Sequence, residues 1–303
     1  MDFGKTASFA KVKFCYEKLP EMNSRFLGNS SHSDFSFRLG CPVWAHPSFI
    51  GQIYSESLSS KEYLKHYQNC FNSIELNSSF YGIPSLELVS NWSSKIETDF
   101  KFCPKFSKVI SHRQNLGSNI DEVRAFIKVL NKFKESNLLG MSFFQLPAHF
   151  SADNLSSFLK FADRFPKVLP IAFEFRHHSW FASKDVMERV ADFLHERNKS
   201  LVISDVAGRR DVCHFLIPGN RAFVRFAGNS LHHSDFERLD SWKEIILKWR
   251  QSGIQEIFFF LHQPKEGNCI RLAKYLNDIL TPEGISFPYP ELQGASPQME
   301  FSL

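Results

Sequence analysis

What most limits the fold of this sequence is its alternation: short apolar runs rich in Phe, Val and Ile are separated by longer amphipathic stretches, the pattern of βα units. Strand-like runs fall at residues 35–44, 71–77, 100–105, 139–146, 170–176, 201–205, 222–227 and 256–262. Helical periodicity occupies 60–70, 86–95, 121–134, 154–165, 184–198, 236–251 and 269–280, and only 206–221 is too irregular to carry a helix. The stretch 121–134 shows the basis of these assignments. Val123, Phe126, Ile127 and Leu130 recur three and four apart on one stripe, and Asp121 stands where a helix dipole favours an acid. Eight such strands predict an α/β fold, a single (β/α)8 TIM barrel over residues 35–280. An N-terminal extension (1–34) and an irregular C-terminal tail (281–303) flank it. The tail carries Pro282, Pro288, Pro290 and Pro297 and is expected to wrap on the surface or to stay partly mobile.

A hydrophobic share of 43% with 33 Phe supplies the apolar area such a core needs and excludes an intrinsically disordered chain. The formal charge of +4, from 36 basic and 32 acidic residues, is too small to argue for nucleic acid by itself. The densest basic text, 5–18, is interrupted by Phe9, Phe14 and Tyr16 and reads as a solvated, loosely held extension. Six cysteines, at 15, 41, 70, 103, 213 and 269, form no C-x-x-C pair and no close Cys/His cluster, which points to reduced core residues. With no signal-peptide run and no 18 consecutive apolar residues, the cytoplasm is the expected location and a membrane is not an expected partner. Cofactor, metal and oligomeric state are left unspecified by these spacings.

Side chains alternate along a strand, so Ile171, Phe173 and Phe175 share one face while Ala172, Glu174 and Arg176 share the other. In a barrel the apolar face meets the helices, which turns Glu174 and Arg176 inward at the C-terminal end of the strand, where such barrels gather catalytic groups. The run at 71–77 repeats the arrangement, with Ile74 and Leu76 outward and Ser73, Glu75 and Asn77 inward. Glu75 and Glu174 are therefore the candidate catalytic residues. Asn77, Lys105, Gln145, Arg176, His177, Arg225, His262 and Trp44, all at or near strand ends, are the candidate substrate-binding residues. The structural alternative is an interior ion pair, with Arg176 neutralising a glutamate. Strict alternation sets Asp205 outward with Leu201 and Ile203, where it caps the following loop; Trp44 and the loop of His177 and Trp180 divide evenly between a pocket and plain packing.

Landmarks occur in a specific order. Gly40 to Trp44 lead to Gly51 and Tyr54; Phe71 to Asn77 lead to Phe80, Tyr81 and Pro84; Phe100, Lys101 and Phe102 precede Lys105, Ile110 and His112. Leu139-Gly140, Phe144-Gln145-Leu146-Pro147, Glu174-Phe175-Arg176-His177 with Ser179-Trp180, Ser204-Asp205 and Val224-Arg225-Phe226 follow. From about residue 36 to about 280 this order resembles the YecE-like family, a domain of unknown function (DUF72) associated with a TIM barrel. The resemblance implies that the matching polar residues belong to that family's pocket. It brings no settled reaction. Two departures stand out: Ala227-Gly228 where many relatives have His-Gly, and Leu261-His262-Gln263-Pro264 where many have Asn-Asn-Asp. An imidazole missing at 227 is one that His262 supplies from the neighbouring strand.

Three functions are compatible with these residues. The leading expectation is an enzyme with hydrolase- or lyase-like acid/base chemistry on a small anionic or sugar-like substrate. In it, Lys105, Arg176 and Arg225 hold negative charge, Glu174 acts as base or nucleophile and Glu75 as the better acid. If the two carboxylates flank a glycosidic bond, their separation forecasts retention or inversion. The alternatives are a metal-dependent phosphodiester or nucleic-acid-processing enzyme, and a non-catalytic nucleic-acid or partner-binding barrel.

Overall fold

The computed structural model describes residues 12, 14, 19–27, 35–113, 116 and 118–289. Each of the eight strand-like runs holds a strand: β1 (Ser36–Gly40), β2 (Ser73–Leu76), β3 (Lys101–Pro104), β4 (Ser142–Gln145), β5 (Ile171–Glu174), β6 (Ser200–Asp205), β7 (Arg221–Ala227) and β8 (Glu256–His262). Their ladders are all parallel. Six strands join in the order β1-β8-β7-β6-β5-β4, and β2 pairs separately with β3. Parallel neighbours need a crossover, and helices supply it except between β6 and β7, where residues 206–220 do so without one.

Sparser contacts mark the two seams beside the β2–β3 pair. At the first, the Glu75 amide donates to Cys41 O (3.2 Å), while the Asn72 side chain accepts from the Leu39 amide (2.7 Å) and donates to Phe37 O (2.9 Å). At the second, isolated parallel bridges link Phe102 with Leu139 and Lys105 with Phe143. A glycine lies at each. A Cβ on Gly40 would stand 2.3 Å from Ser73 O, and one on Gly140 would stand 2.7 Å from Cys103 Sγ, so only glycine admits these approaches.

The helices are α1 (Tyr63–Tyr67), α2 (Ser78–Tyr81), α3 (Leu86–Ser93), α4 (Lys108–Ser111), α5 (Ile120–Glu135), α6 (Leu155–Ala162), α7 (Lys184–Glu196), α8 (His233–Gln251) and α9 (Asn268–Leu280). The stripe of α5 buries Val123, Phe126, Val129, Leu130 and Phe133. Residues 206–220 carry no helix, as their irregular text implies. The one-turn helices α2 and α4 escape periodicity because four residues cannot display a period.

Alternation sorts the apolar side chains into separate cores. Outward residues pack on the helices in two clusters: Ile74, Leu76, Val224, Phe226, Phe259 and Leu261 lie in one, Phe144, Ile171, Phe173 and Phe175 in the other. The inward residues Cys103, Phe143, Ala172, Val202, Phe223, Phe258 and Phe260, with Met141, form a third. This inner cluster is the floor on which the polar layer described below rests.

Part of the N-terminal extension is built into the fold. A 3-10 helix at Glu21–Arg25 buries Met22 and Asn23, and the Asn23 amide donates to Phe215 O (2.8 Å) while its oxygen accepts from the Ile217 amide (2.9 Å). Phe14 lies against the guanidinium of Arg238 (5.1 Å), so this part of the basic stretch is held rather than simply solvated; the rest of 5–18, apart from Val12, lies outside the described residues. At the other end Ile285 and Phe287 are buried, and the Phe287 ring packs on Phe37 at 5.7 Å. Cys41, Cys70, Cys103, Cys213 and Cys269 are free and buried, while Cys15 lies outside the described residues. No helix among the described residues is long and apolar enough to cross a membrane.

Candidate functional site

Arg225 organises the polar layer. Because Val224 and Phe226 turn outward, Arg225 turns inward from β7, 3% exposed, with its guanidinium 5.3 Å from the Phe143 ring on the floor. Its Nε and Nη2 donate to Glu75 Oε2 and Oε1, both at 2.9 Å, and its Nη1 donates to Glu174 Oε1 (3.0 Å) and Oε2 (3.1 Å). One guanidinium thus bridges carboxylates from β2 and β5, using the planar fork geometry a lysine lacks.

Each carboxylate has further donors. Glu75 accepts from Asn77 Nδ2 (2.8 Å) and shares a 2.9 Å hydrogen bond with His262 Nε2, which carries the proton there because an ionised carboxylate only accepts. Glu174 accepts from Gln145 Nε2 (2.6 Å) and Ser204 Oγ (2.9 Å), and Arg176 Nε stands 3.6 Å away. Burial, the largest single effect, would raise both carboxyl pKa values, but Arg225 and the other donors together outweigh it. With His262, Arg225 holds Glu75 well below the usual carboxylate range, and with Arg176 and Gln145 it brings Glu174 down to about 2. Burial opposes the charge on Arg225 too, yet the two glutamates push its pKa above the ordinary arginine value.

Above this layer opens a cleft of about 690 Å³. Lys105, Arg176, Arg225 and His262 line it, with the amides of Asn77 and Gln145, the aromatic rings of Trp44, Phe80 and Tyr81, and Glu266. Glu75 and Glu174, 0% and 1% exposed, do not. The surface a ligand meets is therefore cationic, with the carboxylates beneath it. Lys105 is 7% exposed, its Nζ 4.4 Å from the Phe80 ring centre and 5.6 Å from that of Phe143; burial, then the Arg225 charge, lowers its pKa to about 8. Burial raises the Glu266 carboxyl, and His262 partly offsets the effect.

The structure corrects several expectations. Arg225 and His262 hold the Glu75 carboxyl well below the usual carboxylate range, which runs against the acid role expected for it. The two carboxylates flank Arg225 and not a cleft, so their separation forecasts no glycosidic stereochemistry. Arg225, not Arg176, is their principal partner; sequence alternation places both glutamates and Arg176 inward but does not rank contacts across the sheet. His177 stays out of the lining and accepts from the Ser179 amide at the start of the 3-10 helix His178–Trp180. Trp180 is fully buried and donates to Phe150 O (2.6 Å). Asp205 points outward, as alternation requires, and is held by Trp242 Nε1 (2.8 Å), Arg238 (3.1 Å) and Arg210. No group of three or more His, Cys, Asp or Glu converges as a metal site would need among the described residues. Sequence reasoning missed Glu266, Phe80 and Tyr81. All three lie beyond strand ends, where alternation gives no direction.

Comparison with known proteins places this geometry among relatives. The family described as protein of unknown function DUF72 matches residues 38–295. The chain is 28% identical over 244 residues to the UPF0759 protein YecE of Escherichia coli (strain K12), covering 75% of this chain and 86% of that one. It is 23% identical over 258 residues to the UPF0759 protein YunF of Bacillus subtilis (strain 168), covering 75% and 90%. Among solved structures, a DUF72 family protein from Enterococcus faecalis V583 superposes with TM-score 0.67 at 22% identity, covering 84% of this chain and 98% of that one. Another, from Thermotoga maritima MSB8, does so with TM-score 0.65 at 20% identity, covering 81% and 99%. At these identities the likeness to the solved structures is one of fold.

Proposed function

The chain belongs to the DUF72 family of proteins of unknown function, and on that premise we propose that it is a (β/α)8-barrel enzyme performing acid/base chemistry on a small anionic substrate. The barrel reading rests on eight parallel strands, on bridges at both seams of the β2–β3 pair and on the inner apolar cluster. The observation that carries the substrate class is the cationic face of the cleft: Lys105 and Arg176 line it above buried carboxylates whose oxygens Arg225 already bonds. A low-dielectric cavity strengthens the attraction of such groups for carboxylate or phosphate.

The acid/base role falls to His262. Glu75 fixes its Nε2 tautomer, which leaves Nδ1 as the nitrogen able to accept a proton from substrate. Glu75 acts through His262 as a positioning residue. Ala227 is the register partner of His262, so the imidazole stands one strand away from the position where the family resemblance expects one. Asn77 and Gln145 each commit an amide nitrogen to a carboxylate, and their carbonyl oxygens remain to accept from substrate hydroxyls.

A panel of phosphorylated sugars, sugar acids and keto acids, assayed for turnover, tests the reading. Loss of a general base costs about 10²–10⁴-fold in rate, the drop expected in His262→Asn. Turnover by His262→Asn equal to that of the unaltered protein would contradict it.

A further inference from the structure

Lys105 is a strange residue for a mere anion clamp. Its backbone is pinned on both sides: the amide donates to Leu76 O (3.2 Å), the carbonyl accepts from Ser79 Oγ (2.7 Å), and a bridge ties it to Phe143 on β4. Its side chain reaches the cleft between two aromatic rings. Both nearby carboxylates are already claimed by Arg225, and among the described residues Nζ has neither a hydrogen-bond acceptor nor an ion-pair partner. A lysine so placed is a rigid, desolvated amine next to other cations, the setting that turns lysine into a nucleophile toward carbonyl carbon.

We infer that Lys105 forms a Schiff base with the carbonyl carbon of a small ketone bearing a carboxylate or phosphate. This deepens, and rests on, the anion-binding reading of the same cleft. The neutral Nζ lone pair attacks the carbonyl carbon, and the C=O π pair moves to oxygen, which takes up a proton as nitrogen gives one up, leaving a carbinolamine. A second proton on that oxygen lets it leave as water, and the nitrogen lone pair closes the C=N bond. The net change is amine plus ketone giving protonated imine plus water once one proton is taken up, with nothing oxidised or reduced. Arg176 and His262 line the same cleft, the first as a cation toward the anionic group and the second as a proton carrier.

The groups facing Lys105 set its protonation: after burial come Arg225 on β7, Glu174 and Arg176 on and after β5 and Glu75 on β2, and Lys105 in turn depresses His112. With its pKa brought to about 8, the lysine at pH 8 carries about 100-fold more neutral amine than an ordinary surface lysine. The test incubates the full chain at pH 8 with dihydroxyacetone phosphate or with pyruvate, adds sodium borohydride and maps reduced adducts by peptide mass spectrometry. In parallel, thermal stability is measured with inorganic phosphate. The expected result is an adduct on Lys105 that excess phosphate suppresses and that Lys105→Arg lacks, with the unaltered protein stabilised by phosphate. Which ketone reacts identifies the anionic group. Stabilisation by phosphate with no adduct on Lys105, or with adducts spread over exposed lysines, overturns the Schiff base and leaves the anion reading standing. Neither adduct nor stabilisation overturns both.

Discussion

At the scale of single residues the site is a question of which charge is compensated by which. Arg225 bonds both Glu75 and Glu174 in a layer almost sealed from solvent, so removing it strands two buried carboxylates. Arg225→Met should lower unfolding free energy by about 3–5 kcal/mol in urea titrations. Lys105 has the opposite sign. Its folded pKa, about 8, lies below that of an unfolded lysine, so its charge opposes folding at neutral pH. Between about pH 8 and about pH 10.4 the unfolded chain binds the extra proton, and stability rises with pH across that window. Lys105→Met should accordingly be more stable than the unaltered protein at pH 7 by about 1–3 kcal/mol, and the difference should close near pH 10. A denaturation series over pH checks both the size and the sign. The inward positions of Glu75 and Glu174 were legible from alternation, and Arg225 only as a polar group on its strand. Their pairing was not, because which inward residues meet depends on strand register and tilt, and spacing along one strand carries neither.

Elements were legible in proportion to their length. The stripe of α5 and the seven-residue strands β7 and β8 declare themselves, whereas α2 and α4 are single turns at strand ends, placed by the packing of Ser79 and Ile110 rather than by any pattern. The seams depend on glycine. Gly40→Ala drives a methyl group into Ser73 O and should destabilise the fold by about 3 kcal/mol, measurable by chemical denaturation. The 3-10 helix at Glu21–Arg25 was hidden in a segment that reads as an appendage, since its anchor is one side-chain amide that mimics a backbone partner for the loop before β7. Asn23→Leu leaves Phe215 O and the Ile217 amide without that partner and should cost about 1–3 kcal/mol, with faster hydrogen exchange at Ile217.

For the whole molecule, the alternation of strand and helix fixes where the polar layer lies: an apolar floor at mid-strand, the Glu-Arg-Glu layer above it and the cationic cleft at the C-terminal ends. If the seams close the sheet into a barrel, amides that cross them, at Glu75 and Phe106, should exchange as slowly as those of the continuous β7–β8 ladder. The most direct test of the cationic cleft is calorimetric titration with inorganic phosphate at low and high ionic strength, comparing the unaltered protein with Arg176→Gln and with Lys132→Gln on the distant α5 surface. One site per chain should appear, weakened about tenfold by Arg176→Gln, untouched by Lys132→Gln and moderated but not abolished by salt, as for a partly buried charge pair. Equal binding by all three proteins, or no saturable binding by any, would contradict it.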